Sequence, residues 1–189
     1  MLILRHVIID LFCRVATGSK KVRTLLTPLG VLFFFSFVGL FIFLSTQLDN
    51  RVGFTRFPPS PWNIGVSVPV LFLGAFLIIC SNYYFIRSKG TPVPFNPPPR
   101  VVMTGPYAYA RNPMLTGVFL VLFGVGVLLQ TVSLVFIFTP LFILINLIEL
   151  KSIEEPEFEK RLGEKYARYK KQTPMFFPRP CEKTTKSQR

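Results

Sequence analysis

The sequence predicts an all-α protein, an integral membrane bundle of about four transmembrane helices. Half of its 189 residues are hydrophobic, and Phe alone accounts for 21 of them. Only 16% are charged, and the mean hydropathy of +0.46 is higher than a soluble domain of this length needs. Four apolar stretches also come close to the ~20 residues with which a helix crosses the hydrocarbon core of a bilayer.

The four apolar stretches set the order of the predicted helices. They cover residues 29–48, 66–86, 114–130 and 132–150. Almost nothing separates the last two, so they are predicted to form a tight helical hairpin that turns at Gln130 and Thr131. Gly124 and Gly126 would let its helices approach closely, as small residues do in membranes.

Basic residues flank the apolar stretches and predict how the bundle is oriented. The net charge is +13, and no nucleic-acid-binding module accompanies it, so the predicted partners of this charge are membrane lipids. Lys and Arg concentrate before the first stretch, between the second and third, and after the fourth. The positive-inside rule therefore predicts a multi-pass protein whose N and C termini and whose 87–111 loop face the cytoplasm.

The N-terminal residues 1–23 are predicted to form an amphipathic helix in the headgroup region. Arg5, His6 and Asp10 interrupt the apolar run, which argues against a cleavable signal peptide, and a poorly ordered tail is the alternative. Residues 1–180 are expected to form one domain, followed by a basic tail at 181–189. The three cysteines are far apart and the single His6 cannot anchor a cluster, so no metal site is predicted. The oligomeric state stays open.

The first polar block is TGPYAYARNPM, which follows a proline-rich loop at 92–99 and precedes the third span. Prolines in the loop predict a stiff extended strap, suited to the wall of a pocket. Asn112-Pro113 is typical of a helix start, and the free amides there would form a small anion site with Arg111. Alternatively, Arg111 only obeys the positive-inside rule, and Tyr107 and Tyr109 only anchor the protein at the interface.

The second polar block follows the fourth span. Glu149 stands near the end of the span, where an ionisable residue is a functional candidate, unless this end already lies among the headgroups. Glu154 and Glu155 come next, and their simplest role is to begin a helix. An apolar and aromatic stripe then predicts one amphipathic helix over 153–172. It consists of Phe158, Leu162, Tyr166 and Tyr169.

In this order, the two blocks resemble the membrane methyltransferase superfamily that includes isoprenylcysteine carboxyl methyltransferases and phospholipid N-methyltransferases. The resemblance runs from about Gly90 to Pro180. Its first part is Gly105-Pro106-Tyr107 and Arg111-Asn112-Pro113 with Gly117. Its second part is Glu154-Glu155 with Phe158, and then LGEKYARY at 162–169. The chain departs from the superfamily at Asn112, where other members often have His.

The resemblance implies an S-adenosylmethionine-dependent methyltransferase that acts on a lipophilic small molecule or lipid. It implies that the cofactor lies between the two blocks. The implied cofactor-binding residues are Gly105, Pro106, Tyr107, Arg111, Asn112, Pro113, Gly117, Glu154, Glu155, Tyr166 and Tyr169. Arg111 would hold the cofactor's carboxylate, and the two glutamates its hydroxyl or amino groups. Glu149 is the best candidate for a catalytic base, and Arg111 the candidate to assist it.

Two other classes of function compete with this hypothesis. One is a membrane reductase of related helical architecture, although the chain has no G-x-G-x-x-G phosphate loop. The other is a non-catalytic membrane scaffold, in which the polar blocks only anchor the bundle. These rivals differ in whether the chain binds a nicotinamide cofactor, S-adenosylmethionine or neither.

Overall fold

The computed structural model describes residues 9–11, 13–15, 17–91 and 97–176, which are mostly helical and contain no strand. The expected basic tail at 181–189, most of the proline strap at 92–96, and residues 1–8 of the N-terminal segment lie outside the described residues. The long helices are α1 (Lys20–Val52), α2 (Trp62–Arg87), α3 (Pro113–Leu128) and α4 (Thr139–Glu149). Two short helices follow, α5 (Glu155–Leu162) and α6 (Glu164–Gln172).

Among the described residues, three helical stretches are long and apolar enough to cross a membrane, namely Lys21–Val52, Trp62–Arg87 and Leu134–Leu162, and α3 is a shorter apolar helix. Large apolar side chains on these helices face outward, as Leu25 and Phe72 show, with about three quarters of their surface exposed. Such exposure is costly in water and ordinary in lipid. The protein is therefore an integral membrane helical bundle.

The centre of the bundle is aromatic. Phe142 on α4 is completely buried, and its ring contacts four others at centroid distances of 5.6–6.3 Å. These rings are Phe34, Phe37, Phe41 and Phe119. Because three of them belong to α1 and one to α3, Phe142 joins three helices. The high Phe content of the sequence thus supplies interior packing as well as lipid-facing surface.

The last two spans form the predicted hairpin. Helix α3 ends at Leu128, Gln130 adopts a positive φ of 57°, and the chain is helical again from residue 132. The turn is tied to neighbouring segments, because Asp49 Oδ1 accepts a hydrogen bond from Ser133 N at 3.0 Å and Gln130 Nε2 donates to Pro58 O at 2.7 Å. Gly126 packs against Val135 across the hairpin, whereas Gly124 packs against α2.

The fourth span continues beyond the end that the sequence predicts. It runs from Leu134 to Leu162 through two π-helical turns, Leu134–Phe138 and Leu150–Glu154. Each turn is followed within two residues by a proline, Pro140 or Pro156, which cannot donate the usual helical hydrogen bond. The helix accommodates both prolines without ending. Glu155 therefore lies on the same continuous helix as the apolar span, beyond its apolar part.

The single helix expected over 153–172 is two helices in the structure. Gly163 separates α5 from α6 with φ 59° and ψ −140°, a conformation that is almost exclusive to glycine. The rings of Phe158 and Tyr166 meet across this break at 5.3 Å. The aromatic stripe is therefore folded around a corner and faces the interior of the protein.

The N-terminal segment packs against α5. Asp10 Oδ1 lies 2.5 Å from Lys160 Nζ, and Cys13 Sγ lies 3.8 Å from Glu157 Oε1. Ile9 is buried. These contacts place the described part of this segment beside the same end of the bundle as the two polar blocks.

Helices α2 and α3 approach most closely at a pair of glycines. A Cβ atom on Gly117 would lie 2.7 Å from Gly74 O and 2.8 Å from Ile78 Cγ1. We expect Gly117→Val to destabilise the protein by about 1–3 kcal/mol, because the added atoms meet backbone that cannot move aside. Thermal unfolding in detergent measures the effect.

Gly39→Val is the matched control, because nothing lies within 4 Å of a Cβ atom at Gly39. An equal loss of stability in the two variants would show that the α2–α3 contact is not the cause.

Candidate functional site

The two polar blocks meet at one end of the bundle. Arg111 Nη1 forms an ion pair with Glu155 Oε1, and only 10% and 7% of the two side chains are exposed. Lys170 on α6 lies 2.7 Å from the other oxygen of Glu155. Buried charges are stable only when they are paired, and the side chain of Glu155 lies between two cationic partners. Its hydrogen bonds, and those of Glu159, also raise the pKa of Lys170.

The backbone joins the same two blocks. Arg111 N donates to Pro174 O at 2.9 Å, and Asn112 N donates to Met175 O at 3.0 Å. Tyr169 Oη donates to Tyr107 O at 2.6 Å. Residues at 174 and 175 thus extend along the start of α3. The amides of Arg111 and Asn112, just before α3, are therefore bonded within the chain.

A small cavity of about 50 Å³ lies between the blocks. Its aromatic lining consists of Phe85, Tyr107, Phe158, Tyr166 and Tyr169, and its cationic lining of Arg100, Arg111 and Arg161. Burial raises the pKa of Tyr107, Tyr166 and Tyr169, so these phenols stay neutral. The cavity therefore combines a water-poor aromatic wall with guanidinium groups, which suits a flat ligand that carries an anionic group.

Two guanidinium nitrogens at this cavity are buried without a hydrogen-bond acceptor within the part of the chain that the structure describes. They are Arg111 Nε and Arg161 Nη2. Buried polar atoms of native proteins nearly always have partners, so an exception of this kind requires an explanation. Both belong to side chains that already hold a carboxylate on another nitrogen.

The structure places the predicted site residues in three groups. The first lines the cavity and consists of Tyr107, Arg111, Asn112, Tyr166 and Tyr169. The second lies next to the cavity residues: Glu155 pairs with Arg111, Pro106 and Gly105 form the short 3₁₀ turn that presents Tyr107, and Pro113 begins α3. Asn112 precedes this helix, but its side chain makes no capping hydrogen bond.

The third group is absent from the cavity lining. Gly117 packs against Gly74 of α2. Glu154 lies near the carboxylates of Glu149 and Glu157 and near the guanidinium of Arg161, but neither Glu149 nor Glu154 lines the cavity. Glu149, the suggested base, is therefore not among the lining residues.

The sequence predicts the second ion pair of the site, Glu157 with Arg161, but not that this pair is buried. Arg161 Nε donates to Glu157 Oε1 at 2.7 Å, and their side chains are 10% and 6% exposed. Arg161 Nη1 also donates to Pro98 O at 3.0 Å, which attaches the end of the proline strap to α5. The four-residue spacing of Glu157 and Arg161 predicts an ordinary surface pair, and only the proximity to Gly163 hints that this face turns inward.

The described residues contain no group of three or more His, Cys, Asp or Glu side chains that could hold a metal ion. The arrangement is instead a helical membrane bundle with a closed aromatic and charged site at one end.

Comparison with known proteins identifies the class. The family model described as phospholipid methyltransferase matches residues 64–165, more than half of the chain. The chain belongs to this family and to the wider superfamily of membrane methyltransferases. None of the curated proteins and none of the solved structures compared with it matches significantly.

Proposed function

We propose that the protein transfers a methyl group from S-adenosylmethionine to a lipophilic acceptor, which reaches the site from the bilayer. The observation that carries this proposal is the buried Arg111–Glu155 ion pair, because it joins the two blocks in which the methyltransferase resemblance resides. The family match supports methyl transfer in general. The ion pair indicates where the donor would bind.

The side chains around the cavity suit the chemistry of this donor. Arg111 Nε is a buried donor with no acceptor among the described residues, and it matches a carboxylate. Glu155 uses one lone pair of each oxygen for Arg111 and Lys170, which leaves further acceptor positions for hydroxyl or amino groups. The aromatic wall, with Tyr107 and Phe85 in edge contact at 5.0 Å, suits the faces of an adenine ring.

The size of the cavity sets a condition on binding. A volume of about 50 Å³ holds a few water molecules, whereas pockets for nucleoside-sized ligands measure roughly 300–1,000 Å³. The proposal therefore requires that the walls of the cavity separate when the donor binds. The short helix α6, which Gly163 joins to α5, carries two of the lining side chains, Tyr166 and Tyr169.

The chain's contribution to the reaction would be positioning. S-adenosylmethionine, when bound, supplies an electrophilic methyl group on a sulfonium. Arg111 and Glu155 would fix its orientation, the aromatic residues would exclude water, and the apolar ends of the spans would guide the acceptor. Methyl transfer of this kind requires no covalent nucleophile. We propose that the site faces the cytoplasm, since the Lys and Arg distribution predicts this side for the 87–111 loop.

The test is methyl transfer by purified protein in vesicles that contain total lipid extract. With labelled S-adenosylmethionine, we expect label in the lipid phase in proportion to the amount of protein. The variant Arg168→Gln should behave like the wild type, because Arg168 is 78% exposed on the outer face of α6. If S-adenosylmethionine neither transfers label nor binds in calorimetry, the proposal fails.

A further inference from the structure

The lining of the closed cavity is positively charged. Among the described residues it includes three arginines, Arg100, Arg111 and Arg161, and no carboxylate. The carboxylates that pair with Arg111 and Arg161, those of Glu155 and Glu157, are not among the lining residues. Inside a site of low polarity, such an arrangement favours a negatively charged group in the cavity.

Arg161 is held in one orientation by three contacts. Its Nε binds Glu157, its Nη1 binds the carbonyl oxygen of Pro98, and its guanidinium carbon lies 5.3 Å from the centre of the Phe158 ring. The remaining nitrogen, Nη2, is buried without an acceptor in the described structure. A guanidinium whose other donors are fixed presents its last N–H group in a set direction, which is the geometry of a binding site prepared in advance.

We propose that Arg161 Nη2 and Arg111 Nε together bind one oxyanion, a carboxylate or a phosphate, in this cavity. Both nitrogens belong to side chains that are nine-tenths buried and line the same space. The volume of about 50 Å³ suits a single group of this kind and excludes a whole nucleoside. Glu157 is then a positioning residue, because it fixes the orientation of Arg161 without lining the cavity.

Within the proposed function, either of two molecules supplies this oxyanion. This part of the inference therefore rests on the proposed function. The oxyanion is the carboxylate of the methyl donor or the phosphate or carboxylate of the lipid acceptor. The binding site itself is defined by the two arginines in either case. Its existence can therefore be tested without any methyl transfer.

The first experiment uses inorganic phosphate as the probe. Thermal unfolding of the detergent-purified protein is followed across a phosphate titration, with chloride at equal ionic strength as the reference. We expect phosphate to raise the unfolding temperature of the wild type, and Arg161→Gln to weaken the apparent phosphate affinity about tenfold or more. Arg168→Gln is the matched control. Arg168 also pairs with a glutamate four residues earlier, but this pair lies at the exposed surface.

Arg161→Gln leaves Glu157 buried without its cation, so this variant risks misfolding. The double variant Glu157→Gln/Arg161→Gln removes both charges together and replaces them with amides of similar size. It is expected to fold and to have lost the phosphate effect. The inference is overturned if phosphate stabilises the double variant as much as the wild type, or if it does not stabilise the wild type beyond chloride.

The second experiment determines whether the oxyanion belongs to the methyl donor or to the lipid acceptor. If the donor's carboxylate binds here, the double variant binds S-adenosylmethionine about tenfold or more weakly and binds its decarboxylated analogue as the wild type does. If the acceptor's anion binds here, the donor affinity is unchanged and the KM for the lipid acceptor rises by a similar factor. Either result supports the site. The site is contradicted if the double variant changes neither the donor affinity nor the KM for the lipid acceptor. Failure of the proposed function would appear separately, as wild-type protein that responds to phosphate but binds no methyl donor.

Discussion

Glu155→Ala is expected to lower the unfolding free energy by about 3–5 kcal/mol and to abolish donor binding. The substitution leaves Arg111 with a buried, uncompensated charge and removes a partner of Lys170. Chemical or thermal unfolding in detergent measures the first effect, and calorimetry with S-adenosylmethionine the second. Glu164→Ala, on the exposed side of α6, serves as the control.

A second variant separates the structural role of this ion pair from its functional role. Replacing both partners by apolar residues, as in Arg111→Met/Glu155→Leu, removes the buried charges together. Such exchanges are often neutral or stabilising. We therefore expect this protein to fold and yet to bind no donor. Recovery of both stability and donor binding would show that the pair serves only the fold.

Phe142→Ala is expected to destabilise the protein by about 3–5 kcal/mol. The Phe142 ring is fully buried and contacts rings of α1 and α3, so its removal leaves a cavity where three helices meet. Lipid cannot fill this space, because it lies inside the bundle. The measurement is the midpoint of unfolding in detergent.

Phe72→Ala is the control for this prediction, since the Phe72 side chain is 74% exposed on the outer face of α2. It should change the midpoint little. If the two alanine variants lose the same stability, the aromatic cluster around Phe142 is not what holds α1 against the other helices.

The fold could be predicted from the sequence because the bilayer imposes simple rules on composition. Uncharged stretches of membrane length give the spans, and the lack of a linker at Gln130 and Thr131 gives the hairpin. Each span takes the chain to the opposite side of the membrane. Four spans therefore predict that the segments around Arg111 and Glu155 share one end of the bundle. Their ion pair shows that the two segments do meet there.

Two glutamate–arginine pairs show why the rest could not be predicted. Glu157 with Arg161 and Glu164 with Arg168 have the same spacing and similar neighbours in the sequence. The first pair is buried at the cavity, whereas the second is almost fully exposed. The difference arises at Gly163, where the helix breaks and the chain changes direction between α5 and α6. Periodicity assumes one continuous helix, so it cannot assign the two pairs to different environments.

Other differences have similarly local causes. The π-turn at 150–154 carries the fourth span past residue 150, where the sequence predicts its end, and on past Pro156. Gly117 belongs to the motif that resembles the family, but its role in the structure is to let α2 approach α3. A motif identifies residues that matter without stating whether they contact a ligand or a neighbouring helix.

The most direct test of the central claim is a double-mutant cycle on the affinity for S-adenosylmethionine. The cycle compares the wild type, Arg111→Gln, Glu155→Gln and the double variant by calorimetry in detergent. If the two blocks form one donor site, each single change weakens binding and the effects are strongly non-additive, because either change disrupts the same ion pair. Additive effects, or wild-type affinity in both single variants, would contradict the account.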